Sequence, residues 1–240
     1  MRKLIGKVST KIPEGTRGKD LLRRGALPLE DRYYGNARVF TDEEKAALLR
    51  HYEPDVRHTD VTAPVFKEAG ALDDVATMQY IDLYTWLRGD ILVKADKVTM
   101  ANSLELRVPF LDAEVFKVAA SIPLDQKLAH GTTKYALRQA LAKIIPAHVL
   151  NRRKLGFPVP IRLWLRNEMY DWAKGIISDS KTEELLDKKA ILALLEEHKA
   201  GQLDRSRQLW ALIVFMLWHG IFVEHRIKPE IPEPVYPVKL

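Results

Sequence analysis

The chain is 240 residues long, 47% hydrophobic and 29% charged, which suits one large globular domain or two small ones. It has no cysteine, so disulfides, thiolate-built zinc sites and a cysteine nucleophile are excluded. Its net charge of +6 comes from 38 Lys and Arg mixed with 32 Asp and Glu along the whole length; without a clustered stripe, this reads as a solvated mixed-sign surface and not a nucleic-acid face.

Residues 1–40 make an N-terminal segment of mixed pattern, basic but lacking an apolar stretch of secretory length. Within it, 19–24 reads as a short helix stopped by Pro28. The paired tyrosines and the Gly-Asn step of 32–40 read as a loop. A helical domain is expected over 41–227. Thr41 with Glu44 three residues on spells a capping box, so a helix is expected over 42–51, ending ahead of Pro54. Residues 54–72 read as loop.

Asp73 and Asp74 suit the positive end of a helix dipole, and Met78, Ile81, Tyr84, Trp86 and Leu87 follow at helical spacing. Gly89 is expected to break or bend that helix before a second one over 90–102. Residues 104–111, with Pro109 inside, are extended in character. Asp112 caps a helix over 113–121, closed by Pro123. After a loop at 129–131, Thr132 is expected to cap a helix reaching Ile144, and Pro146 to open a further short turn.

Residues 151–160 form a basic loop bearing glycine and proline. An amphipathic helix is expected over 161–177, then helices over 183–186 and 188–200 and an apolar core helix over 205–224. The tail, 228–240, holds four prolines and reads as an extended arm. No strand and no glycine-rich phosphate loop stand out. The fold class is therefore all-α in this chain, about eight to ten helices joined by loops of ordinary length.

The apolar run from Leu209 to Phe222 is interrupted by His219. It falls short of the roughly 20 residues a membrane span needs, so a soluble, cytoplasmic protein without a membrane partner is expected. Tyr84, Trp86, Trp164, Trp172, Trp210 and Trp218 fall in helical patterns and are expected in core packing. The seven histidines lack metal-ligand spacing, and no metal site is expected.

Chemistry concentrates between Arg88 and Asp112. Lys94, Asp96, Lys97, Glu105, Arg107 and Asp112 are charges set among Val108, Pro109, Phe110 and Leu111. Buried charges need a partner or a charged ligand. Internal pairs of Arg107 with Glu105 or Asp112 would satisfy them, and so would a bound anion.

The string DKVTMANSLELRVPFLD, 96–112, closely resembles the signature of the asparagine synthetase family's synthetase domain. Gly131-Thr-Thr-Lys-Tyr-Ala-Leu-Arg138 and Arg152-Arg-Lys-Leu-Gly-Phe-Pro158, ahead of Trp164, resemble two further segments of the family in the same order. The resemblance runs from about Tyr33 to Val223. It implies a glutamine-dependent ligase. An N-terminal domain hydrolyses glutamine, and ammonia passes to a C-terminal domain. There ATP and aspartate form β-aspartyl-AMP and pyrophosphate, and ammonia displaces AMP.

It also implies that this chain is the helical part of an α/β ATP-pyrophosphatase domain. ATP and Mg²⁺ would serve the full-length enzyme, with neither held tightly by this chain alone. Developing charge on phosphate oxygens calls for cations. Matched motif to motif, Lys97, Arg107 and Lys154 are the implied contacts to phosphate or intermediate, with Lys154 in a loop able to close over substrate. Lys134 is a weaker nucleotide contact, one turn from Arg138 on one helix face. Asp96, Glu105 and Asp112 would orient those cations or cap helices.

Against the same family pattern, the Ser-Gly-Gly-x-Asp-Ser loop, the Gly-Glu-Gly-x-Asp-Glu stretch and the N-terminal cysteine have no counterpart here. Aspartate, ATP and glutamine-derived ammonia would then be met through an upstream part, and the chain reads as a fragment whose open apolar face favours self-association. A stand-alone helical binding module on this scaffold, or a related amide- or lactam-forming ligase, are the alternative readings.

Overall fold

The computed structural model describes residues 12, 13, 16, 18–33, 39–152 and 159–229. The chain divides into two compact units, one made of Met1–Ala37 with Arg57–Phe157, the other of Arg38–Val56 with Pro158–Leu240. In chain order the elements are α1 (Lys19–Gly25), α2 (Leu29–Arg32), α3 (Asp42–Leu48), α4 (His58–Ala69), α5 (Asp74–Asp82), a π-helical stretch (Leu83–Ile91), α6 (Leu92–Met100), a 3-10 turn (Pro109–Leu111), α7 (Ala113–Ser121), α8 (Leu124–Lys127), β1 (Leu128–Ala129), β2 (Thr132–Thr133), α9 (Tyr135–Leu141), α10 (Ala147–Leu150), α11 (Ile161–Trp164), α12 (Tyr170–Asp179), α13 (Lys188–Lys199) and α14 (Ser206–Phe222).

The chain is mostly helical, as its pattern indicates. The exception is an antiparallel hairpin pairing Leu128 with Thr133 and Ala129 with Thr132. Thr132 thus sits in a strand and caps no helix; α9 starts after Lys134.

The second unit is built around α14. Leu209, Leu212, Ile213, Met216 and Gly220 recur along one stripe and are buried. Facing them are Ala173 and Ile177 of α12 and Ile191 and Leu195 of α13, all in one hydrophobic cluster with Leu48 of α3. Each fully buried Ile or Leu contributes about 1.5–3 kcal/mol of apolar transfer. Gly220 lets the chain pass close: a Cβ there would lie 2.7 Å from Ile227 Cδ1, which would have to move. The chain folds back over it, with the Arg226 and Ile227 amides donating to the Gly220 carbonyl at 2.9 and 3.1 Å.

Polar groups close this unit at three points. At the start of α3, Thr41 accepts from the Glu44 amide and the Glu44 carboxylate accepts from the Thr41 amide, the expected capping box. Helix α3 stops at Leu48, short of the expected 51, because Leu49 pairs with Leu186 and the Arg50 amide donates to the Leu185 carbonyl at 3.0 Å. The same pairing turns 183–186 into a bridged turn where a helix is expected. At the second point, buried His198 bonds the Arg162 carbonyl through Nε2 at 2.9 Å and accepts the Arg205 amide on Nδ1 at 3.2 Å. Arg205 in turn bridges Glu44 at 2.9 Å and Glu197 at 2.5 Å. At the third, Glu224 accepts from His219 Nδ1, Arg226 Nε and the Lys181 amide, all within 3.0 Å. Burial alone would raise the Glu224 carboxyl, but these donors outweigh it and hold it at about 2.

In the first unit, residues 58–69 are helical where a loop is expected. Pro64 argues against it, since a proline inside a helix costs a bond. Thr62 and Ala69, on one face of the helix, are its buried residues. Asp73 caps α5 through the Val75 and Ala76 amides, both at 2.9 Å. Gly89 does not end the run. The backbone widens into the π-helical stretch and continues into α6.

The helix expected over 161–177 is interrupted after Trp164 by a turn, in which Asn167 Nδ2 donates back to the Leu163 carbonyl at 3.0 Å. The aromatic expectation also needs correction: Tyr84, Trp164, Trp172, Trp210 and Trp218 are at least 38% exposed. Within the described residues, no helix is long and apolar enough to cross a membrane.

Two outcomes follow for stability. Ile213→Ala should cost about 2–5 kcal/mol by urea denaturation, while Val118→Ala, in a 65% exposed position, should stay within about 0.5 kcal/mol. Glu224 has a folded-state pKa below its ordinary value, so its contribution is full above pH 4.5 and is lost as pH falls toward about 2. Glu224→Gln should flatten the acid limb of a thermal-melt titration between those values; an unchanged limb would remove Glu224 as its source.

Candidate functional site

The segment from Arg88 to Asp112 begins in the π-helical stretch and crosses α6. It leaves through Ser103, whose φ of 56° turns the chain out of the helix. The Leu104 amide still donates to the Thr99 carbonyl at 2.9 Å, and the segment then extends to Val108. Asp112 ends it as the cap of α7, accepting the Glu114 and Val115 amides at 2.9 and 3.3 Å. Its expected capping place is thereby filled.

The charges in this segment stand in solvent, not in an apolar interior. Glu105 and Arg107 pair at 2.5 Å with side chains 70% and 84% exposed, and Lys94 pairs with Asp90 at 3.6 Å. Exposed pairs of this kind hold little energy. Lys97 lies exposed on α6, and no carboxylate reaches it within ion-pair distance among the described residues. Lys97 and Arg107 are both in the first unit.

Lys134 does not share a helix face with Arg138. It precedes α9 in the left-handed region, φ 58°. Arg138 is committed to the backbone, its Nε donating to the Thr133 carbonyl at 3.1 Å and its other guanidinium end to the Leu150 carbonyl. Lys154 lies outside the described residues.

The hairpin and α9 also border a cleft lined largely by the 131–138 motif. Its volume is about 610 Å³, and His130, Thr132, Tyr135, Arg138 and Arg152 line it. The His130 and Tyr135 rings meet at 5.3 Å. Gly131 and the adjoining His130 both take positive φ, 70° and 50°, to close the hairpin. With Arg138 held on backbone carbonyls, Arg152 is the remaining guanidinium at this cleft, and no carboxylate lines it. Among the described residues, no three His, Asp or Glu gather as metal ligands. The groups around the cleft offer no Mg²⁺ cage.

The family model for asparagine synthase matches residues 7–220. The chain belongs to the asparagine synthase family. It is 59% identical to a putative glutamine-hydrolysing asparagine synthetase of Mycobacterium tuberculosis, over all of this chain and 37% of that protein. It is 54% identical to glutamine-hydrolysing asparagine synthetase 1 of Bacillus subtilis, over 96% of the chain and 36% of that protein. Asparagine synthetase 3 of the same organism is 28% identical, over 77% of the chain. The chain thus spans little more than a third of the length of the curated relatives it matches. No solved structure matches it.

Membership of this family leaves open whether Lys134 acts by charge or by conformation, and substitution separates the two. Lys134→Gly relieves the left-handed strain and should raise stability by up to about 1 kcal/mol, whereas Lys134→Ala keeps the strain and should change little. A thermal melt reads both; a loss of stability in the glycine variant would show that the side chain holds the hairpin.

Proposed function

We propose that this chain is the C-terminal helical portion of the synthetase domain of an asparagine synthetase. The whole enzyme adenylates aspartate with ATP to β-aspartyl-AMP and pyrophosphate, then amidates it with ammonia drawn from glutamine. The supporting observation is the high identity across the entire chain combined with coverage of only 37% of the relative. The whole domain is of the ATP-pyrophosphatase α/β kind, and the present helices are its later part.

The roles of this chain's own residues follow from charge. Lys97, Arg107 and Lys154 contact phosphate oxygens or the acyl-adenylate, and Lys134 contributes at longer range. Negative charge grows on phosphate as pyrophosphate departs, and a preplaced ammonium or guanidinium lowers that barrier. Arg107 can meet two oxygens at once once it exchanges Glu105 for phosphate. Lys97 acts as a single point charge. Mg²⁺ would enter with ATP, held by phosphates and carboxylates. Alone, the chain should turn over nothing, and its uncovered apolar side chains should drive self-association that light scattering would detect. The compartment is the cytoplasm.

The test has two arms. The chain alone, given aspartate, ATP, Mg²⁺ and ammonia, should yield neither asparagine nor pyrophosphate. The chimera in which this chain replaces the matching stretch of Bacillus subtilis asparagine synthetase 1 should make both, and Lys154→Met in the chimera should lower kcat by about 100-fold or more. Turnover by the chain alone, or a chimera that folds but makes no β-aspartyl-AMP, would sink the reading.

A further inference from the structure

Helix α14 turns a second apolar stripe outward. Its exposed positions are Arg207, Trp210, Val214, Trp218 and Phe222, three or four residues apart and so on one face. After Arg207 every one of them is apolar. Trp218 is 50% and Phe222 62% exposed, and Val223 carries the patch past the end of the helix. The rings form a ladder, with Trp218 6.0 Å from Phe215 and 6.1 Å from Phe222. The outward face of a surface helix is ordinarily polar; this one presents flat aromatic faces to water.

Beyond the helix the chain turns back at once. The Arg226 and Ile227 amides bond to the Gly220 carbonyl, so Lys228 and Pro229 leave from beside the last turns of α14. Residues 230–240 lie outside the described residues, but their sequence has a period of its own. Prolines at 229, 232, 234 and 237 exclude a helix and a central strand and favour the polyproline II conformation, with three residues per turn. At that period Pro229, Pro232, Val235 and Val238 fall on one ridge, and Ile231, Pro234, Pro237 and Leu240 on a second. The third ridge holds Glu230, Glu233, Tyr236 and Lys239. Two apolar ridges beside one polar ridge suit a proline-rich segment to lie on aromatic side chains with its third side in water.

We propose that segment 229–240 docks on the Trp210, Val214, Trp218 and Phe222 stripe of its own chain, as a strap with its two apolar ridges on the aromatic faces. The stripe runs about 18 Å along the helix axis, and the segment in polyproline II form spans about 34 Å. The surplus covers the path round the helix, since Gly220 lies on the buried side. Attachment to the same chain holds the segment near the stripe at a roughly millimolar effective concentration. The same segment of a second copy lacks that advantage. Prolines also leave little conformational freedom to lose on docking, so modest apolar contact suffices.

The test sets ridge against ridge and segment against stripe. Removing 230–240 should lower the Tm by about 4 °C or more and raise acrylamide quenching of the tryptophan emission. Ile231→Asp with Val235→Asp, one change on each apolar ridge, should reproduce both effects. Glu230→Gln with Glu233→Gln, on the polar ridge, should shift the Tm by less than about 1 °C. In Val214→Asp protein, and equally in Trp218→Ala protein, removing 230–240 should shift the Tm by less than about 1 °C, because both changes delete one contact. No effect of removal, equal effects from polar and apolar ridges, or the same loss with and without an intact stripe would each overturn the proposal. So would a dimer that becomes a monomer on removal of 230–240 in sedimentation velocity, because the occupant would then be the segment of a second copy.

Discussion

The burial of α14 is the interaction on which the second unit depends. Leu209, Ile213 and Met216 are wholly enclosed, and the helices that enclose them have no other surface on which to place Ile177, Ile191 and Leu195. Because that helix is apolar around much of its circumference, its partners must be held at fixed height, and polar groups do the holding. Arg205 at its start reaches Glu44 and Glu197, and Glu224 beyond its end gathers His219, Arg226 and the Lys181 amide. Each is a buried or half-buried charge with its donors or acceptors filled, the condition under which such groups stabilise and do not strain a fold.

The first unit obeys the same chemistry with the opposite balance. Two of its helix starts are set locally, those capped by Asp73 and by Asp112. What it lacks is a sink for apolar area. Met100, Leu104, Phe110 and Val118 each remain more than half exposed. Local propensity can start a helix, but tertiary burial supplies most of its stability. A unit whose helix ends are specified while its faces stay open has a local structure written for contacts that its own described residues do not provide.

That contrast explains what could be read from the sequence. Three helix starts announced by an acidic or hydroxyl cap were legible: Thr41 with Glu44, Asp73 and Asp112 act as their side chains dictate, whereas Thr132 sits in a strand. So was α14, whose apolar density admits no other place than a core. Residues 58–69 were not, because Pro64 outweighs a weak stripe unless the burial of Thr62 and Ala69 is known. The hairpin at 128–133 needed positive φ at His130, a residue that does not advertise it. The tryptophans misled for a simpler reason: helical spacing says which residues share a face, not whether anything covers that face. The site followed the same rule. The motif string named Lys97, Arg107, Lys134 and Lys154, but spacing placed Lys134 on a helix that begins only after it.

The electrostatics of the site turn on the same exposure. An ion pair such as Arg107 with Glu105, both largely in water, is worth little and exchanges readily for another anion. The same guanidinium in a water-excluded site would attract phosphate several times more strongly, since the interaction scales inversely with the local dielectric. Alternation of Leu104, Leu106 and Val108 with Glu105 and Arg107 therefore has a double use. One side of the segment is suited to bury, and the other then holds its charges at the edge of the buried zone, where they stay mobile enough to change partners. Lys97, centred between Val93 and Met100, has no such margin and becomes the group most sensitive to whether that face is covered. Apolar packing and charge are thus not separate properties of this segment: the first sets the dielectric in which the second acts.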